Sequence, residues 1–182
     1  IRVLAASALF QHDSTDTFSK NVLLECLKDR EQKNRLVALN ALLKMKAYPS
    51  GAESVILEAM QEGDGDLQYL SVKAINRCFQ KEFVWEAIPA LISLRENNKL
   101  NFASTGASRL LIDLKYAQLD VEQLIKGLHH KNPIIRDFAL EKSKNNWRSA
   151  NRTFPVLEEM YKKEKDTELK QKIFKVMDDL KH

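Results

Sequence analysis

The sequence predicts an all-α fold, a solenoid of antiparallel helix pairs about five to six repeats long. Three observations carry this. Apolar residues keep helical spacing along the 182 residues, and no strand-like alternation persists anywhere. A helical motif returns about every 33 residues. Ile1-Arg2-Val3-Leu4-Ala5-Ala6-Ser7-Ala8-Leu9 reappears as Asn34-Arg35-Leu36-Val37-Ala38-Leu39-Asn40-Ala41-Leu42, with looser copies at Gln68 to Ile75, Asn101 to Leu111, Ile135 to Leu140 and Leu169 to Met177. Finally, only 5 Gly and 4 Pro occur, and turn residues cluster at Tyr48 to Gly51 and Gly63 to Gly65 between periodic segments. A unit of this size buries its apolar face only against its neighbours, so the array makes a binding surface rather than an enclosed reaction site.

Two kinds of helix alternate. Inner helices are expected at about Ile1 to Phe10, Lys33 to Lys46, Leu67 to Gln80, Leu100 to Tyr116, Pro133 to Asn146 and Thr167 to Leu180. Each of the first five carries a small residue at mid-helix (Ala5, Ala38, Ala74, Ala107 and Ala139), which lets neighbouring helices approach closely. Outer helices are expected at about Asp16 to Lys28, Ser50 to Gln61, Val84 to Glu96, Val121 to His129 and Arg152 to Lys163. Their stripes are Val22/Leu23/Leu27, Val55/Ile56/Met60, Ile88/Leu91/Ile92, Leu124/Ile125/Leu128 and Phe154/Leu157/Met160. Asn132-Pro133 supplies an N-cap and then a proline at the first helical position. Ser50, Asp66, Asp120 and Asn151 are further expected caps. Pro89 and Pro155 fall early in outer helices, where the first turns tolerate them or the helix kinks. No internal domain boundary is visible, and residues 1–182 read as one repeat domain.

Charged residues make up 30% of the chain and hydrophobic ones 44%, enough to bury a core and too apolar for disorder. The net charge is +4, a mild basic excess compatible with nucleic acid but without the Lys/Arg runs that demand it. Cys26 and Cys78 sit in apolar helical patterns and read as small buried thiols. No apolar run approaches the roughly 20 residues that span a bilayer. Ile1 falls inside a repeat helix that has no partner before it, so the chain is expected to be an excised piece of a longer polypeptide. That leaves the compartment open, with cytoplasm the first expectation.

These features resemble HEAT repeats over essentially the whole chain. The family pairs an outer helix bearing proline with an inner helix built on Val-Arg-x-x-Ala-x-x-Ala-Leu, joined by a turn that contains Asp. Leu27-Lys28-Asp29 followed by Arg35-Leu36-Val37-Ala38-Leu39-Asn40-Ala41-Leu42 is similar to that pattern, and so is Ile135-Arg136-Asp137-Phe138-Ala139-Leu140. Ala87-Ile88-Pro89-Ala90-Leu91 and Phe154-Pro155-Val156-Leu157 resemble the outer-helix proline signature. The resemblance implies a right-handed superhelix in which turn Asp and inner-helix Arg form a hydrogen-bonded ladder, with Asp29, Arg2, Arg35 and Arg136 as its members here. Two departures stand out: His130 occupies a place where the family has Asp, and Asn101 to Leu111 has no Arg at the expected position. The short, simple repeats resemble bacterial versions of the family. HEAT-like arrays serve as phosphatase scaffolds, nuclear transport receptors, DNA glycosylases and appendages of bacterial enzymes, so the likeness implies architecture more than activity.

No catalytic or metal-ligating constellation emerges. His129 and His130 are adjacent and point about 100° apart on a helix, a poor geometry for sharing one ion. Glu62-Gly63-Asp64-Gly65-Asp66 lacks the alternating ligands and distal Glu of a calcium loop and reads as a turn before a helix. Asn151-Arg152-Thr153 matches a glycosylation sequon but reads as a helix start. Glu158/Glu159 and Asp178/Asp179 read as solvated helix faces, and Trp85 and Trp147 as packing anchors. One constellation stands apart. Superposing the repeats aligns Asn40/Lys44, Lys73/Arg77, Arg109/Asp113, Glu141/Asn145 and Lys175/Asp179, each pair four apart and on one helix face. Successive inner helices would align them into a strip along the concave surface, basic at Lys73, Arg77 and Arg109. The strip reads first as an ordinary solvated face, and alternatively as a recognition patch for an acidic protein segment or a phosphate backbone. The expectation is a non-enzymatic interaction and scaffold module that binds a protein or peptide there, with no cofactor, metal or membrane contact. The rivals are a nucleic-acid-binding protein of the repair-glycosylase kind, and an accessory domain of a larger bacterial enzyme or membrane-anchored protein.

Overall fold

Apolar periodicity of 3.6 becomes helix throughout. The computed structural model describes residues 1–13, 15–45, 49–78, 85–97, 101–116, 119–144 and 150–181, the side chains of 78, 115 and 116 excepted. Among these residues there are eleven α-helices, one short 3-10 turn and no strand. The helices are α1 (Arg2–His12), α2 (Thr17–Leu27), α3 (Gln32–Lys44), α4 (Ala52–Glu62), α5 (Gly65–Cys78) and α6 (Ile88–Glu96). They continue as α7 (Phe102–Tyr116), α8 (Val121–Leu128), α9 (Pro133–Ser143), α10 (Ala150–Lys163) and α11 (Thr167–Asp179). Trp85–Ala87 forms the 3-10 turn ahead of α6, which places Pro89 in the helix's first turn, where its missing N–H costs nothing. Pro155 lies inside α10, at its sixth residue.

Helix starts follow side-chain chemistry, with three corrections. Asp16, Asp120, Asn132 and Asp166 each accept backbone N–H groups of the first turn. Ser50 is not the cap of α4: Gly51 takes that place in the left-handed region at φ 93°, which a side chain would strain, and the Ser50 hydroxyl accepts instead from Lys20 Nζ at 2.7 Å. Asp66 lies inside the first turn of α5, and Asp64 does the capping, accepting the Leu67 N–H at 3.1 Å. That bond, followed by one from the Gln32 side chain, holds the Asp64 carboxyl below its usual range. Asn151 is likewise inside α10, which begins one residue earlier at Ala150.

The chain forms two compact units. Unit 1 comprises Ile1–Phe83 and Ala90–Leu111; unit 2 comprises Val84–Pro89 and Ile112–His182. In unit 1, α1 packs on α2 and α3, α2 on α3 and α4, and α5 on α3 and α4. Beyond the packing of neighbours in sequence, odd helices pack on odd and even on even. Leu23, Leu39, Leu42, Ile56, Met60 and Leu67 are wholly buried between them, each stabilising the fold by roughly 1.5–3 kcal/mol before the cost of ordering. Ala38, Ala74 and Ala107 are fully enclosed, as close helix approach requires. Ala5 is not: it is exposed, and Ala6 is the buried alanine of α1. The face of α3 that bears Ala38 packs within the unit, whereas no described helix covers the equivalent face of α1, which leaves Leu4 and Leu9 exposed as well.

Unit 2 repeats the pattern. Helix α8 packs on α9 and α10, while α11 packs on α9 and α10. Leu124, Leu128, Leu140, Leu157 and Ile173 are buried around Ala139, which is also fully enclosed. Trp85 is the anchor the sequence suggests: its indole meets the Phe138 ring edge-on at 6.3 Å and lies flush against Gly127, where an added Cβ would sit 2.6 Å from the ring. Trp147, Asn145 and the Cys78 side chain lie outside the described residues. The half-buried Cys26 thiol has its pKa raised, chiefly by burial.

Candidate partner-binding surface

The exposed faces of α3, α5 and α7 in unit 1 carry Asn40 and Lys44, Lys73 and Arg77, and Arg109, all exposed as the four-residue spacing implies. Two contacts join these faces. The Arg77 guanidinium donates to the Leu43 carbonyl, one of the unsatisfied acceptors at the C-terminus of α3, where a cation also meets the negative helix end. The Tyr69 ring of α5 meets the Phe102 ring of α7 at 6.0 Å, tilted by 52°. Lys73 places its ammonium 5.0 Å from the centre of the Tyr69 ring. Phe102 itself is 81% exposed. The Asn40 amide donates at 3.1 Å to Leu36 O, four residues back in its own helix.

Charge is segregated between the two sets of helices in this unit. The odd helices carry Arg2, Lys33, Arg35, Lys44, Lys73, Arg77 and Arg109 against one carboxylate, Asp66. Helix α4 carries Glu53, Glu58 and Glu62 and no base. Arg2 bonds Glu25 at 3.0 Å, and Arg35 contributes to the field that holds Asp64 ionised. Among the described residues, Lys44, Lys73, Arg77 and Arg109 are paired with no carboxylate.

Unit 2 pairs several of its cations and leaves others, among them Lys126, Lys131 and Lys162, exposed. Lys144 bonds Glu141 at 2.8 Å, Lys172 bonds Asp137 at 3.0 Å, and Arg152 and Lys163 pair with Glu122 and Glu159. The hydrogen bond that Lys172 donates to Asp137 raises the Lys172 pKa, and the one that Lys163 donates to Glu159 lowers that of Glu159. Asp113, Lys175 and Asp179 are exposed. The expected strip residues thus fall in different units, and Glu141 is already engaged.

The turns of unit 2 enclose a recess of about 280 Å³ whose polar walls include His129, His130, Lys131, Arg136, Glu159 and Glu164. Arg136 donates to the His130 and Lys131 carbonyls at 3.1 and 3.0 Å and lies 3.8 Å from Glu164. Backbone carbonyls here take the role the resemblance assigned to a turn Asp. In unit 1 Asp29 stays local, accepting from Glu31 N and Asn34 Nδ2. His130 Nδ1 accepts the Asn132 N–H at 3.0 Å, so the neutral ring carries its proton on Nε2, 4.0 Å from Glu86. Charges in this recess face one another and serve to fasten the turns.

Two features escape a reading by sequence alone. Lys142 is buried, donates to the Leu114 carbonyl near the end of α7, and has its pKa pushed down to about 8 by desolvation. Its signal was present: Ile135, Ala139 and Lys142 stand at i, i+4 and i+7 on the buried stripe. The Tyr69–Phe102 pair also had one, since Tyr69 shares the face of Lys73 and Phe102 that of Arg109. Among the described residues no group of three or more His, Cys, Asp and Glu side chains is placed to hold a metal ion, and no helix is long and apolar enough to cross a membrane. No protein-family model matches the chain, and comparison with curated proteins finds no match.

Proposed function

We propose that this chain is a non-enzymatic interaction module, a HEAT-like right-handed solenoid of about five to six helix pairs that captures an anionic partner on the odd helices of unit 1. The carrying observation is the set of exposed cations Lys44, Lys73, Arg77 and Arg109, which no described carboxylate neutralises. Like charges gathered on one face repel one another, and an anionic partner relieves that repulsion while the same field speeds its arrival. The packing of odd helices on odd and even on even within each unit supports the solenoid reading. A scaffold ordered before binding loses little freedom on contact, so modest side-chain interactions add up to useful affinity. Asp113, Glu141 and Asn145 have no part in this proposal.

The test is the triple reversal Lys73→Glu, Arg77→Glu, Arg109→Glu. Fluorescence anisotropy with labelled poly-glutamate, single-stranded DNA and RNA, each at two ionic strengths, should show at least tenfold weaker binding by the variant. Far-UV circular dichroism should be unchanged, because exposed helix-face substitutions alter stability little. Equal binding by parent and variant overturns the proposal. The salt slope sorts the partner class, because phosphate-backbone binding falls steeply and log-linearly with salt.

A further inference from the structure

We propose that the occupant of this face is an acidic peptide segment with an aromatic or aliphatic anchor, its anchor seated on Phe102 and Tyr69 and its carboxylates on the flanking cations. This rests on the anion-capturing reading above. Phe102 leaves most of its ring in water, an expensive placement for so large an apolar group, and it does so beside unpaired cations. Val37 of α3 is partly exposed on the same set of helices. Charge without apolar surface suits any polyanion. Charge around a single apolar platform suits a chain whose side chains alternate between the two kinds.

Two details favour peptide over single-stranded nucleic acid. Base stacking along a strand uses a succession of open ring faces. Here Lys73 already lies over the Tyr69 ring, leaving Phe102 as the open platform. Packed helices lie about 8–10 Å apart. An extended chain covers that distance in about three residues, at roughly 3.3 Å each. A peptide with a carboxylate at every third position therefore meets a cation on each successive helix, and one apolar side chain between them reaches Phe102.

The probe is a fluorescein-labelled peptide with Glu at every third position and one central Phe. Its controls are the same peptide with Ala for that Phe, and an oligothymidylate of equal charge. The parent protein should bind the Phe peptide at least fivefold more tightly than the Ala peptide. Phe102→Ala should remove that preference while leaving Ala-peptide binding unchanged, and Phe102→Leu should keep part of it. The triple reversal should lose both peptides. If both peptides bind alike and Phe102→Ala changes nothing, the anchor is overturned, yet loss in the triple reversal would leave the anion-capturing reading standing. Tighter binding of the oligothymidylate than of the Phe peptide overturns the peptide assignment in favour of nucleic acid. Binding of none of the three probes, or equal binding by parent and triple reversal, overturns both readings.

Discussion

The two units carry similar numbers of charges and pair them to different extents. Unit 2 forms Lys144–Glu141, Arg152–Glu122, Lys163–Glu159 and Lys172–Asp137, and leaves Lys126, Lys131, Lys162 and Lys175 exposed and outside any ion pair among the described residues. Unit 1 keeps Arg2–Glu25 and Arg95–Glu96 and leaves the cations of α3, α5 and α7 facing solvent. Among the described residues, unit 2 therefore has more ion pairs than unit 1, while exposed cations outside any pair remain on both. Each unit also carries a tilted Tyr–Phe pair with a lysine over the tyrosine, Tyr69–Phe102 with Lys73 in unit 1 and Tyr161–Phe174 with Lys170 in unit 2, and Phe102 is the more exposed of the two phenylalanines. Composition alone conceals this, because the net charge of +4 averages over both units.

The largest expected effects test whether the units are energetically separate. Leu39→Ala in unit 1 and Leu140→Ala in unit 2 each empty a fully buried site and should cost about 2–5 kcal/mol. Hydrogen exchange read by mass spectrometry should show each variant losing protection first in its own unit. Equal loss in both units from either variant would mean that they unfold as one body.

Next comes Lys142, a buried cation with no counterpart among the described residues of unit 1. Its folded pKa of about 8 lies below the ordinary value of 10.5, so between these values the unfolded chain binds more protons than the folded one. Stability should therefore rise as pH rises from about 8 to 10.5, and the full penalty should apply below 8. Lys142→Met should flatten that rise in chemical-denaturation curves and raise stability near pH 7 by up to about 3 kcal/mol. An unchanged pH profile would show that the ammonium is well compensated where it lies.

Two glycines give a smaller contrast. Gly127→Ala drives a methyl into the Trp85 ring of unit 2 and should cost about 1–3 kcal/mol. Gly106→Ala in unit 1 meets only the Val72 side chain at 3.4 Å and should cost less than about 1 kcal/mol. Thermal melts of the two variants check the order. The smallest effects concern surface charge. Arg152→Ala breaks an exposed pair and should destabilise by less than about 1 kcal/mol, while Lys73→Ala thins the like-charge cluster and should be neutral or slightly stabilising. The same sign for both, measured at low salt, would erase the electrostatic distinction between the units.

Much of the architecture was legible in the sequence because local rules decide it. Asp120, Asn132 and Pro133 mark helix starts by chemistry confined to one turn, and the enclosed alanines 38, 74, 107 and 139 follow from periodicity. Where several capping residues stand in a row, as from Gly63 to Asp66, local rules offer more than one register and packing selects Asp64. Ala5 was misread because burial depends on what covers a face, which periodicity does not record. The division into units leaves no mark in composition, since it falls within α6 and α7. At the candidate surface, the exposed cations came from helical spacing. The Tyr69–Phe102 contact and the unpaired state of those cations depend on neighbours about 30 residues away. Lys142 escaped because a charged residue is ordinarily taken to face water.

That buried lysine also has a kinetic consequence. An amine-selective reagent cannot reach Nζ of Lys142 while it is seated on the Leu114 carbonyl. Its modification rate is then the product of two factors, the fraction of time α9 stands open and the reactivity of a freed lysine. Lys126 of the same unit is exposed and gives the second factor directly. The ratio of the two labelling rates makes Lys142 a native clock for the breathing of unit 2, with no probe introduced into the fold.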